Sequence, residues 1–188
     1  FLLFRHFAVL DPDWHHDSIL LKPALDVARG RTLFSDTFTQ YGALLTYLQA
    51  AALKLFGETL LVLRYQQALV MSLCSVLIYL LARLLTPISV AASIVLFWIL
   101  LSPHYLQPFI LSSSVFALFF MLAGSFLLIR GELISLDRPI RNYCFFSSGT
   151  LLMLCFWVRQ PVGLVSITVG SFFIFSLMLS NFFLSFKI

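Results

Sequence analysis

Residues 60–85 read LLVLRYQQALVMSLCSVLIYLLARLL, and this run decides the fold class. A helix needs about 20 apolar residues to cross roughly 30 Å of hydrocarbon. The run is 26 residues long and supplies 20 apolar ones, with its two charges, Arg64 and Arg83, placed towards its ends. Reading outward, further apolar blocks fall at Ile88–Leu101 and at 109–129, 143–158 and 162–186, and residues 1–10 look like the tail of an earlier span. The expected architecture is an all-α integral membrane protein with about six transmembrane helices, residues 1–188 forming one transmembrane unit. Composition agrees: 61% of residues are hydrophobic and 11% charged, against roughly 45–50% and about 25% in a soluble domain. A soluble chain of this size has no way to hide that excess behind a polar exterior, whereas a bilayer absorbs it.

Several function classes lose their footing at once. The net charge of +4 comes from basic residues that alternate with apolar blocks, whereas a nucleic-acid site needs a clustered basic face. Cys74, Cys144 and Cys155 lie inside apolar blocks without metal-type spacing and read as small buried hydrophobes. No Walker A, GxGxxG, HExxH or GxSxG element is present, which removes the usual handles for ATP-driven transport and for serine or zinc hydrolysis. The chain opens on Phe1 with half a span and closes within an apolar block. A fragment lacking the start of its first span and a large C-terminal part is therefore expected.

Cationic residues set the expected sidedness. Arg83, Arg130, Arg138, Arg141 and Lys187 fall on one side of the spans, and the positive-inside rule assigns that side to the cytoplasm. The long segment 11–59 then faces the periplasm, the exterior or a lumen. It holds every acidic residue of the chain except Glu132 and Asp137. Within it, 23–29 suits a short helix with Pro23 in its first turn and Gly30 as its stop. A second helix, Ala43–Phe56, closes at Gly57; it is too short to span and suits the membrane interface.

The polar chemistry gathers at the start of this loop, in Asp11-Pro-Asp-Trp-His-His-Asp17. Ionisable groups beside lipid are costly unless solvated or partnered, so such a cluster invites a functional hypothesis. The run DPDWHHDSILLKPALDVARGRTLFSDTFTQYGALLTYLQAAALKLFG, followed by LRYQQALV, resembles the first external loop of the GT-C superfamily of polyprenyl-phosphate-sugar glycosyltransferases. The similar branch contains the protein O-mannosyltransferases and the lipid A aminoarabinose transferases. Asp17, Gly30, Phe34 with Asp36, Tyr41-Gly42 and Phe56-Gly57 stand at the positions of the pattern. Beyond Arg64 the likeness thins to the alternation of spans and the element RQPVGL. His15-His16 before the Asp and Ala43 in place of a frequent Pro depart from it.

The resemblance implies inverting sugar transfer on the non-cytoplasmic face of a bacterial inner (plasma) membrane. The donor would be a polyprenyl-phosphate sugar and the acceptor a protein, lipid or glycan. An acceptor hydroxyl is a poor nucleophile until a carboxylate takes its proton, a step worth about 10²–10⁴ in rate. Asp17 is the candidate base; its bland alternative is a helix cap. Asp36 reads equally as a second active-site carboxylate or as part of a Ser-Asp-Thr turn. Arg159, at a membrane border on the side of the loop, is the candidate for the leaving phosphate, which needs a fixed cation. Lys22 and Arg64 are runners-up, and for Arg64 snorkelling to headgroups is the preferred reading. His15, His16, Gln40, Tyr41 and His104 complete the candidate substrate contacts. His15, His16 and Asp17 suit a divalent ion chemically, yet adjacent histidines diverge on most backbones, so no metal ligand is assigned and a divalent metal stays open as a cofactor. A transporter subunit and a non-catalytic membrane scaffold are the competing classes.

Overall fold

The computed structural model describes residues 1–10, 13–105, 111–133 and 138–185. The described residues form eight helices: α1 (Leu2–Ala8), α2 (Trp14–Ala28), α3 (Ala43–Phe56), α4 (Leu60–Leu85), α5 (Ile88–Tyr105), α6 (Ser113–Leu133), α7 (Arg138–Val158) and α8 (Gln160–Ser185). The fold is all-helical. Two of these helices, α4 and α6, are long and apolar enough to cross a membrane. Helix α3 and the whole of α4 coincide with the segments read from sequence.

Helix α2 does not. It begins at Trp14, nine residues ahead of the expected Pro23 start. The cause is Asp13, whose Oδ1 accepts the backbone N–H groups of His15 (3.0 Å) and His16 (3.1 Å). That satisfies two of the amides a helix start leaves orphaned. Pro23 consequently sits inside the helix, where it withholds a donor from the carbonyl of Ile19. The expected stop holds: Gly30, at φ +90°, follows the C-terminal turn and its N–H reaches the carbonyl of Val27 at 3.0 Å. The helix-cap alternative for Asp17 falls with the same observation, because Asp13 occupies that position.

The core lies where the loop helices meet the ends of the long ones. Leu20 and Ala24 of α2, Leu45 and Leu53 of α3, Leu63 of α4, Phe116 and Ala117 of α6, and Cys155 and Val158 of α7 are all buried together. On α3, Leu45, Gln49 and Leu53 recur every fourth residue, which places them on one helix face. Burying each leucine is worth about 1.5–3 kcal/mol relative to water. The described part of the loop, residues 13–59, is thus a packed cap seated on α4, α6 and α7. A smaller cluster joins Phe4 and Ala8 of α1 to Ala68 and Met71 of α4 and Val115 of α6. Along α6 and α7, small residues permit close approach: Ser148 Oγ donates to the carbonyl of Gly124 at 2.7 Å, the kind of contact that holds apolar helices together without a hydrophobic drive.

Candidate functional site

Asp17 is the most buried of the predicted site residues, at 1% exposure. It lies in the first turn of α2 and faces Arg64 of α4. Arg64 Nη2 and Nε meet Asp17 Oδ2 at 2.9 and 3.2 Å. The other oxygen, Oδ1, accepts the backbone N–H of Leu111 at 3.0 Å. Arg64 Nη1 reaches the carbonyls of Ala8 (3.0 Å) and Leu10 (2.8 Å) at the end of α1. One ion pair therefore ties α1, α2, α4 and the residues before α6. Arg64 is 3% exposed, which corrects the snorkelling reading: its guanidinium is spent inside the protein, not on headgroups. A buried pair of this sort is geometrically exacting, and loss of one partner strands a charge at a cost of about 3–5 kcal/mol.

The second carboxylate, Asp36, sits in a tight exposed loop. Its Oδ2 accepts the Thr32 N–H at 2.8 Å while its own N–H donates to the Thr32 carbonyl at 2.9 Å. The turn reading of Asp36 is thus realised, with Oδ1 bound only by Ser35 Oγ at 3.4 Å. Inside this loop, Phe34 adopts φ +70°, the single non-glycine residue with positive φ among the described residues. A bulky side chain there costs about 1–3 kcal/mol and persists only when its surroundings hold it. The Phe34 N–H donates to the Thr37 carbonyl at 2.7 Å.

The anchor of that loop is Asp26, a residue with no predicted role. Its Oδ2 accepts Lys22 Nζ and Thr37 Oγ1, both at 2.9 Å, and Arg31 Nη1 lies 3.3 Å from Oδ1. Both ends of the loop are therefore fastened to one carboxylate. The hydrogen bond from Lys22, then that from Thr37, then the charge of Arg31 hold the Asp26 carboxyl below its ordinary range. Lys22 is thereby placed against α2 itself rather than beside Arg159. The i,i+4 spacing of Lys22 and Asp26 is the sequence signal that foretells this.

Arg159 does find candidate neighbours. It stands in the one-residue break between α7 and α8 and lines a cleft of about 530 Å³ with Gln40, Tyr41, Trp157, Gln160 and Phe34. Three residues singled out from sequence, Gln40, Tyr41 and Arg159, thus converge although most of the chain separates them. Gly42 brings them together: its N–H donates to the Val158 carbonyl at 3.0 Å. A Cβ at that position would collide with the Trp157 carbonyl, so only glycine lets α3 approach α7 this closely. Among the described residues, Arg159 makes one side-chain hydrogen bond, from Nη1 to Ser114 Oγ.

His15 and His16 are exposed at the start of α2, and His16 Nδ1 lies 2.8 Å from Asp13 Oδ2. Among the described residues no three His, Cys, Asp or Glu side chains gather to hold a metal ion. The side chain of His104 lies outside the described residues.

No family model, curated protein or solved structure matches this chain. Among the described residues the lining of the cleft contains one charge, that of Arg159, and no carboxylate. The first residues of α3 (Ala43) and α8 (Gln160, Pro161) both border it, and helix N-termini carry partial positive charge. The opposing carbonyl of Val158, at the end of α7, is already spent on Gly42. The formal charge on the described lining is therefore positive, a sign that suits an anionic ligand. The cleft meets the Asp17 pair along residues 111–114: the Leu111 amide binds Asp17, the Ser112 amide binds Gln67 Oε1 at 2.6 Å, and Ser114 binds Arg159.

Proposed function

We propose that this protein is an integral membrane glycosyltransferase that moves a sugar, with inversion, from a polyprenyl phosphate to an acceptor on the non-cytoplasmic face. The observation that carries the reading is the positively charged cleft, with Arg159 between two helix N-termini, next to a loop that resembles the first external loop of the GT-C superfamily. Six spans and a periplasmic or exterior loop belong to the same proposal. They are supported by the exposed apolar side chains along α5, α7 and α8, among them Phe97, Phe146 and Phe172, which need lipid to cover them.

In the proposed reaction the acceptor O–H gives its proton to Asp17 while its oxygen attacks the anomeric carbon. The bond from that carbon to the phosphate oxygen breaks, and its electron pair leaves with the phosphate. Arg159 and the amides at the starts of α3 and α8 stabilise the charge that develops there. Arg64 occupies Oδ2 of Asp17 twice, and among the described residues Oδ1 accepts one hydrogen bond, from the Leu111 amide, which leaves a lone pair for the acceptor proton. Access requires the cover over Asp17 to lift when acceptor binds. Asp36, exposed on the adjacent loop, orients the acceptor.

The test is transfer from a radiolabelled polyprenyl-phosphate sugar in membranes. Asp17→Asn is expected to lower turnover about 10²–10⁴-fold and also to lower the thermal midpoint, because it strands the Arg64 charge, so turnover is compared per molecule that still binds donor; Arg159→Ala is expected to weaken donor binding instead. Full turnover in Asp17→Asn would sink the base assignment and leave Asp17 a structural partner of Arg64. Cytoplasmic labelling of a cysteine placed at position 36 would overturn the topology.

A further inference from the structure

The cleft has walls that charge does not explain. Phe34, Tyr41, Phe156 and Trp157 line it, and Phe34 and Trp157 remain 62% and 52% exposed. A phenylalanine at φ +70° that buries little returns nothing to the core for its strain. Glycine or asparagine would hold the same turn at lower cost. The loop nevertheless fixes Phe34 in place, through the Thr37 carbonyl within the turn and through Asp26 at both ends. Strain held by an over-determined frame, with the side chain on a cleft, is the signature of a contact residue. The neighbouring Phe38, 70% exposed and outside the cleft lining, meets the Phe34 ring edge-on at 6.3 Å and leaves the Phe34 face turned to solvent and cleft.

Between the aromatic walls stand Gln40 and Gln160, both exposed and neither hydrogen-bonded to a described residue. Each amide offers two donors and an acceptor. A lipid tail would have no use for them. A pyranose does: its C–H face is apolar and weakly positive, matching the negative face of an aromatic ring, and its hydroxyls project at the rim where the amides stand. We infer that the cleft lined by Phe34, Trp157, Gln40 and Gln160 seats a pyranose ring on Phe34, flanked by Trp157, with the two amides reading its hydroxyls. This rests on the transferase reading for its location beside the phosphate site and deepens it by naming Phe34 as a sugar-contact residue. The ring belongs either to the donor or to a saccharide acceptor.

The test is equilibrium binding to the full chain in nanodiscs, comparing wild type, Phe34→Gly and Phe34→Tyr. The probes are undecaprenyl phosphate, the same lipid carrying glucose or mannose, and the free methyl glycosides added to protein saturated with undecaprenyl phosphate. Phe34→Gly accepts φ +70° without strain, so its thermal midpoint is expected to match or exceed that of wild type. It is expected to bind one class of sugar probe about tenfold more weakly, a loss equivalent to about 1.4 kcal/mol, with bare undecaprenyl phosphate unaffected. Phe34→Tyr is expected to restore the affinity. A loss confined to the glycosylated lipid assigns the platform to the donor; a loss confined to the free glycosides assigns it to an acceptor. Unchanged sugar affinity in Phe34→Gly, an equal loss for the bare lipid, or a wild type that binds no sugar probe overturns the inference. A sugar-dependent difference without any turnover would instead count against the transferase reading and leave the platform standing.

Discussion

Two arginines on this chain sit beside the packed loop and have opposite fates. Arg64 is enclosed, with its donors divided between Asp17 and two backbone carbonyls. Arg159 borders an open cleft and touches one serine hydroxyl. The difference teaches how to separate a charge that builds a site from one that serves it. The first has its hydrogen-bonding capacity consumed by the fold; the second keeps capacity in reserve.

That contrast breaks most sharply at Arg64. Arg64→Ala is expected to cost about 3–5 kcal/mol, because Asp17 is left buried and unpaired. Arg159→Ala, partly exposed, is expected to leave stability within about 0.5 kcal/mol. Thermal unfolding in detergent compares the two, and similar losses would erase the distinction. Replacing both members of the buried pair with apolar residues should recover much of what Arg64→Ala loses, since no stranded charge remains.

Gly42→Ala comes next. Its new Cβ has to push α3 away from the Trp157 carbonyl, and overpacking of this kind costs about 1–3 kcal/mol. The cleft should suffer more than the ion pair. Donor binding is therefore expected to fall while protection of the Asp17 region in hydrogen exchange persists. Simultaneous loss of both would show that the two regions are one unit.

The smallest effect sharpens the comparison on the cleft side. Asp26 is held below its ordinary carboxyl pKa, so what it contributes is present above the unfolded value of about 3.8 and disappears as pH falls through the lower folded value. The Phe34 loop should stay fastened from neutral pH to near pH 4 and loosen below it. Asp26→Asn at neutral pH is expected to mimic the acid state, visible as several-fold faster tryptic cleavage after Arg31. An unchanged cleavage rate would mean the loop does not depend on its clasp.

Local rules made much of this legible in the sequence. The apolar run of α4 and the Gly42 and Gly57 boundaries of α3 follow from composition and backbone freedom, and both helices lie where the residues place them. Residues 23–29 misled because Pro23 and Gly30 are conspicuous punctuation, whereas Asp13 starts the helix with a cap that only its geometry reveals. The Arg64–Asp17 pair was illegible because its members come from separate helices and nothing local distinguishes a snorkelling arginine from an enclosed one. The convergence of Gln40 and Tyr41 with Arg159 was half legible: sidedness put them on one face of the membrane, but the contact itself depends on the missing side chain of Gly42. Phe34 stood in the motif as an aromatic position, and its strained backbone has no signature in residue type.

The hydrogen bond from Gly42 to Val158 also orders events during biogenesis. The first amide of α3 waits for a carbonyl that emerges only when the chain has been synthesised through the end of α7. Until then the cleft has one wall, and its cation has not been made. A nascent chain inserted only as far as α6 can close the Asp17–Arg64 pair, because Leu111 has already been added. The cleft is thus the last part of the site to be assembled.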